Sequence, residues 1–213
     1  MRPITREDFL KDVDRHEMTI LRDDGLYRHA RFSRPGTRIM QFDLITWPGY
    51  LCYCGDMGEY VFTRLADMFE FFRKPDARSG VDLQYWAEKC RAADRVDSIK
   101  KYDPDVARQV IFEWMESWMR DQDFAEGDEE GSIVVPPELY EVRNAVIDDI
   151  LCHVDAGEHE LREAIRGFEC NGFEFYDFWE ADLTEYTFRF VWCCYALVWG
   201  IAQYDRKKAE VSP

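Results

Sequence analysis

Long apolar runs, a surplus of basic charge and paired cysteine spacings are all missing from this chain of 213 residues. The longest apolar stretch, Phe190 to Gln203, runs fourteen residues between Arg189 and Asp205. A bilayer span needs about 20, so a buried core helix is expected and a membrane partner is not. Basic residues are scarce: 27 Lys+Arg stand against 43 Asp+Glu, a formal charge of −16. That balance excludes a basic nucleic-acid binder and makes direct nucleic-acid binding unfavoured. The seven cysteines, Cys52, Cys54, Cys90, Cys152, Cys170, Cys193 and Cys194, contain no CxxC. They read as small apolar groups rather than disulfides or a zinc site. Met1 to Asp8 has no signal-peptide core, so a cytoplasmic location is expected. No Walker loop, GxGxxG, GxSxG or HExxH is found, so neither an enzyme nor a cofactor is expected. With 46% apolar residues the chain is too hydrophobic for intrinsic disorder.

What is present divides by position. Residues 1–100 hold 17 bases and 17 acids, whereas residues 101–213 hold 10 and 26. Thr5 with Asp8, ahead of Phe9 and Leu10, approximates a capping box and predicts a short helix. Short β-compatible runs follow, at Met18–Arg22, Tyr27–Ser33, Arg38–Thr46, Tyr50–Cys54 and Glu59–Thr63. They are separated by Asp23-Asp24-Gly25, Arg34-Pro35-Gly36, Trp47-Pro48-Gly49 and Gly55-Asp56-Met57-Gly58. This pattern predicts an antiparallel meander. From Leu65 onward the period becomes helical, over Leu65–Arg73, Leu83–Ala93, Pro104–Arg120, Pro137 to about Val154, Glu158–Arg166 and Leu183 to about Tyr204. The last of these is expected at the centre of the helical part, and Thr187–Trp192 within it is compatible with strand or helix. The expected fold class is α+β: a sheet region over 1–75 and an acidic, mainly helical region over 76–213, in one compact unit.

Chemistry-bearing clusters are few. The stripe Val106, Val110, Trp114 and Trp118 reads as a helix core face. His153 and His159, six apart, would point to opposed sides of a helix, so no metal site is expected. Glu113/Glu116 and Asp148/Asp149 do not stand out from an acidic background. Arg22, Arg28, Arg31, Arg34 and Arg38 lie close together. An anion-binding strip built from Arg28, Arg31, Trp47 and the Gly55–Gly58 turn is one reading of that half. The other reading is a solvated hairpin whose arginines pair internally. From Asp103 to Glu185 there are 24 acids against five bases. Asp121, Asp123, Glu126, Asp128, Glu129 and Glu130 crowd one loop. Such a face would present carboxylates as a nucleic acid presents phosphates, and would draw in a basic partner.

The stretch Gln41 to Gly58 (QFDLITWPGYLCYCGDMG), with Tyr60-Val61-Phe62, Asp67 to Arg73 (DMFEFFR), Asp23 to His29 (DDGLYRH) and Phe32, resembles a family of uncharacterised phage- and prophage-encoded proteins. The likeness is close over about the first 75 residues and looser beyond. It carries no catalytic residue across and implies a small accessory protein made inside a bacterial host cell. Joined to the charge split, it leads to the expectation of an acidic inhibitor or nucleic-acid mimic. Such a protein would block a host-defence or nucleic-acid-handling protein through a basic surface, in the anti-CRISPR or anti-restriction manner. A nucleotide or nucleic-acid-binding sheet is the alternative, and an oligomer formed through the aromatic helices is a third.

Overall fold

The computed structural model describes residues 4–73, 80–122 and 136–211. In chain order the first elements are α1 (Arg6–Asp12), β1 (Glu17–Asp24), β2 (Tyr27–Ser33), β3 (Phe42–Trp47), β4 (Tyr50–Gly55), β5 (Gly58–Thr63), α2 (Met68–Phe72), α3 (Leu83–Lys89), β6 (Cys90–Ala92) and β7 (Lys100–Tyr102). Then come α4 (Pro104–Arg120), α5 (Pro137–Ala145), α6 (Glu158–Ile165), β8 (Glu169–Cys170), β9 (Phe173–Glu174), β10 (Thr184–Tyr186) and α7 (Phe188–Val211). The fold is α+β, with an N-terminal six-stranded antiparallel sheet ordered β1-β2-β3-β4-β5-β6. Contacts divide the chain into two compact units, 1–101 with 186–213, and 102–185.

In the sheet unit most of the expected local signals are realised, although the strand expected from Arg38 begins at Phe42 and the helix expected from Leu65 begins at Met68. Thr5 Oγ1 accepts the Asp8 N–H at 3.2 Å while the Asp8 carboxylate accepts the Thr5 N–H at 3.3 Å, closing the capping box of α1. Pro48-Gly49 forms a two-residue turn between β3 and β4, and Gly49 takes φ +86°, which a side chain would resist. Alternation then sorts the strands. Ala30, Phe32, Phe42, Leu44, Leu51, Tyr53, Tyr60 and Phe62 are buried on one face. That face is covered by α7 through Phe190, Trp192, Cys193, Leu197 and Ile201. Phe32 stacks on Phe42 at 4.7 Å, and Trp192 meets Phe42 edge-on at 5.7 Å. A Cβ at Gly200 would stand 2.9 Å from Leu44 Cδ1, so the α7 backbone lies directly on the Leu44 and Phe32 side chains there. Polar ties hold its length: Trp192 Nε1 donates to Asp12 at 3.0 Å, Lys208 to Asp23 at 2.7 Å, and Arg73 grips Asp205 at 2.8 and 2.6 Å.

Three expectations are corrected. The helix expected over Leu83–Ala93 stops at Lys89, because Cys90–Ala92 turns extended and pairs with the edge of β5. The apolar C-terminal helix does not sit within the helical part, because an apolar sheet face needs its cover more. Thr184–Tyr186 is a strand and α7 starts at Phe188. As a result, the units divide at 101/102 and 185/186, not at residue 75.

The second unit holds α4, α5, α6 and the β8–β9 hairpin. Its core gathers Ala107, Ile111, Met115, Val142, Val146, Ile150, Val154, Leu161, Ile165, Phe173, Phe178 and Leu183. Trp114 and Trp118 pack partly buried against Phe178 and Phe173 at 5.3 Å, flanking the buried line Ala107, Ile111 and Met115 of α4, while Val106 is only half-buried. The rod begun by α5 widens to a π-turn at Val146–Ile150 and tightens to a 3-10 turn at Leu151–Ala156. Changing pitch keeps Val146, Ile150 and Val154 all buried while Asp148 and Asp149 stay exposed.

Candidate functional site

The contact boundaries coincide with the charge boundaries more sharply than the halves of the sequence do. Residues 102–185 carry 24 acids and five bases, while the sheet unit carries 19 acids and 22 bases. Within the acidic unit three of the five bases are paired with nearby carboxylates. Arg108 pairs with Asp105 and Asp155, Arg162 with Glu158 and Arg166 with Glu163. Other acids stand exposed, among them Glu113 and Glu116 on α4, Asp148 and Asp149 on the π-turn, and Glu174 and Glu180 near the hairpin. Of the loop acids, Asp121 is exposed at the end of α4, where its backbone N–H bonds to Met119 and Trp118 carbonyls. Asp123, Glu126, Asp128, Glu129 and Glu130 lie outside the described residues.

The residues of the alternative anion site are not brought together. Arg28 is largely buried on the core side, where it forks onto Asp67 at 2.7 and 2.9 Å and lies 4.8 Å over the Phe69 ring. Burial alone would raise the Asp67 carboxyl. The bonds from Arg28 and the Phe69 N–H outweigh it and hold that group below the ordinary carboxylate range. Arg31 points to the opposite face and forks onto Asp43 at 2.9 and 2.8 Å. Trp47 stacks on Tyr50 at 5.3 Å, at the end of β4 away from Gly55. The Gly55–Gly58 turn is a packing joint. A Cβ at Gly55 would collide with the Gln41 carbonyl, and the Asp56 carboxylate accepts the Met40 N–H at 2.8 Å. The Asp94 side chain lies against Gly58, so a carboxylate sits where a phosphate cradle would need donors.

Spacing alone did not mark a cluster on the opposite sheet face. His29 Nε2 donates to Asp43 at 2.7 Å beside the Arg31 fork, and Asp43 is 6% exposed. Burial pushes the Asp43 carboxyl up, but the Arg31 and His29 bonds bring it below its usual value. Cys54 lies directly across from Asp43, and Cys52 is two residues before it on the same face. A hydrogen bond between the two thiols lowers Cys52 and raises Cys54. The bonds from His29 and Arg31 to Asp43 tie β2 to β3. His153 and His159 are exposed. Among the described residues no group of three or more His, Cys, Asp or Glu is placed to hold a metal ion, and no helix is long and apolar enough to cross a membrane.

A second feature was also missed. In the acidic unit, Ile165, Phe175, Phe178 and Trp179, with Arg162, Arg166 and Gly167, line a cleft of about 410 Å³. The run Phe173 to Glu180 holds only aromatics and acids, and that was its available signal. The structure turns Phe173, Phe175 and Phe178 inward and leaves Tyr176 and Trp179 out. No family model, curated protein or solved structure matches this chain.

Proposed function

We propose that this chain acts by binding, with the unit Tyr102–Glu185 placing its carboxylates on the basic surface of a nucleic-acid-handling protein. It would occupy that surface in place of a nucleic acid. Joined to the phage and prophage resemblance, the target class is a host-defence protein such as a nuclease or CRISPR effector, and the role is that of an inhibitor. One observation carries this reading: the excess of acid over base is confined to a unit with its own core, in which Arg108, Arg162 and Arg166 are already paired. Acids spread for solubility alone would be shared with the sheet unit, which is nearly balanced.

The test uses the tagged full chain as bait in bacterial lysate, at low and at moderate salt. One variant carries the six loop acids as Asn or Gln, and another carries Glu113, Glu116, Asp148 and Asp149 so changed. A stoichiometric basic partner should be retained at low salt, released as salt rises, and weakened by one or both variants. Retention indifferent to salt and to both variants would overturn the reading. An anionic ligand on Arg28 and Arg31 is not favoured, since both guanidinium forks already hold carboxylates.

A further inference from the structure

Charge alone does not account for the cleft beside Trp179. Its floor of Ile165, Phe175 and Phe178 is apolar, and Trp179 at its rim is 70% exposed. An indole left this open over an apolar hollow forfeits burial, which is the profile of an interaction anchor. Of the two cations that line the cleft, Arg162 is fully engaged and Arg166 holds an exposed surface pair. Arg162 donates to Glu158 and to the Phe178 and Ala181 carbonyls, each at 2.9 Å, clasping the short 3-10 turn Phe178–Glu180. Arg166 pairs with Glu163 at 3.0 Å. Arg162 therefore has little left to offer an anion. Three chain neighbours of the aromatic lining residues are instead acidic: Glu174, Asp177 and Glu180. An occupant must be apolar at its tip and positive on its shoulders.

We infer that this cleft receives one apolar side chain, of the Phe, Leu or Met kind, projecting from a Lys/Arg-rich segment of the partner. The inference rests on the binding role of the acidic unit and adds the anchor that gives it specificity. Long-range charge attracts many basic surfaces with little discrimination, while a filled pocket distinguishes among them. A second copy of this chain fits poorly, because a unit with 24 acids and five bases repels its like.

Calorimetric titration of the full chain with short synthetic peptides tests this. The probes are a Lys/Arg-rich peptide with a single central Phe, the same peptide with Ala, and an Asp/Glu-rich peptide with the central Phe. The Phe peptide should bind at least about tenfold tighter than the Ala peptide. Trp179→Ala should erase that difference while both basic peptides keep their salt-sensitive binding. Because Trp179 is mostly exposed, that variant should fold, and its circular dichroism checks this. Equal binding of Phe and Ala peptides, or a difference that survives Trp179→Ala, overturns the anchor and leaves the acidic-surface reading standing. Absence of any basic-peptide binding at low salt overturns both. Comparable binding of the acidic Phe peptide, or a concentration-dependent dimer lost in Trp179→Ala, assigns the cleft to a different occupant.

Discussion

At the scale of single residues, most polar groups that looked available for ligands serve the fold. Arg28 and Asp67 are both largely buried, and Asp67 also caps α2 by accepting the Phe69 N–H at 2.9 Å. Asp67→Ala would leave a buried guanidinium without its counter-charge. We expect a loss of about 3–5 kcal/mol in urea unfolding, and less for a double change that also replaces Arg28 by Met. The lowered carboxyls of Asp23, Asp43 and Asp67 set a pH dependence. Their folded pKa values lie below the unfolded 3.8, so the stability they lend is whole above that value. It drains as pH falls through the lower folded values. The urea midpoint of the sheet unit should therefore hold from neutral to mildly acid pH and drop below about pH 4. Cysteines offer a third check. Cys193 and Cys194 are buried and burial pushes their thiols up, while Cys90 rises to about 11 and Cys152 is exposed. Mass spectrometry after brief alkylation should find Cys152 modified first and Cys193 and Cys194 protected until unfolding. Early modification of the buried pair would contradict this packing. Which arginines would be free could not be read from spacing, since the partners of Arg28 and Arg31 lie 39 and 12 residues away.

Secondary-structure elements show the same division between local and distant causes. α4 runs from Pro104 to Arg120 as its periodicity predicts, because an N-cap aspartate, a first-turn proline and an unbroken stripe all act within a few residues. Asp103 accepts the N–H groups of Asp105 and Val106 at 2.9 and 3.1 Å. β6 was not legible: Cys90–Ala92 continues a helical pattern, and only the open edge of β5 draws it extended. α7 makes the strictest demand. Gly200 lies against Leu44 and Phe32, so Gly200→Val should cost about 1–3 kcal/mol by overpacking, despite the poor helix propensity of glycine. Unfolding of that variant in denaturant measures it, and a neutral result would mean that α7 can lift from the sheet.

Across the whole molecule, charge and compactness share a boundary, and this gives a prediction that does not depend on any partner. Self-repulsion within residues 102–185 should weaken that unit at low ionic strength. Added salt should raise amide protection there more than in the sheet unit, as read by hydrogen exchange. Uniform protection changes would mean that the acids do not destabilise their own unit.

The sequence by itself determined the meander, the caps, the amphipathic face of α4 and the excess of acid in the second half, because each depends on neighbours a few residues apart. Tertiary structure alone decided that α7 covers the sheet, that Arg28 and Arg31 are occupied, and that Trp179 overlooks an apolar cleft. These outcomes hang on which distant surfaces meet. An apolar sheet face must be covered by whichever apolar helix can reach it, and a buried charge must find its opposite wherever the chain brings one.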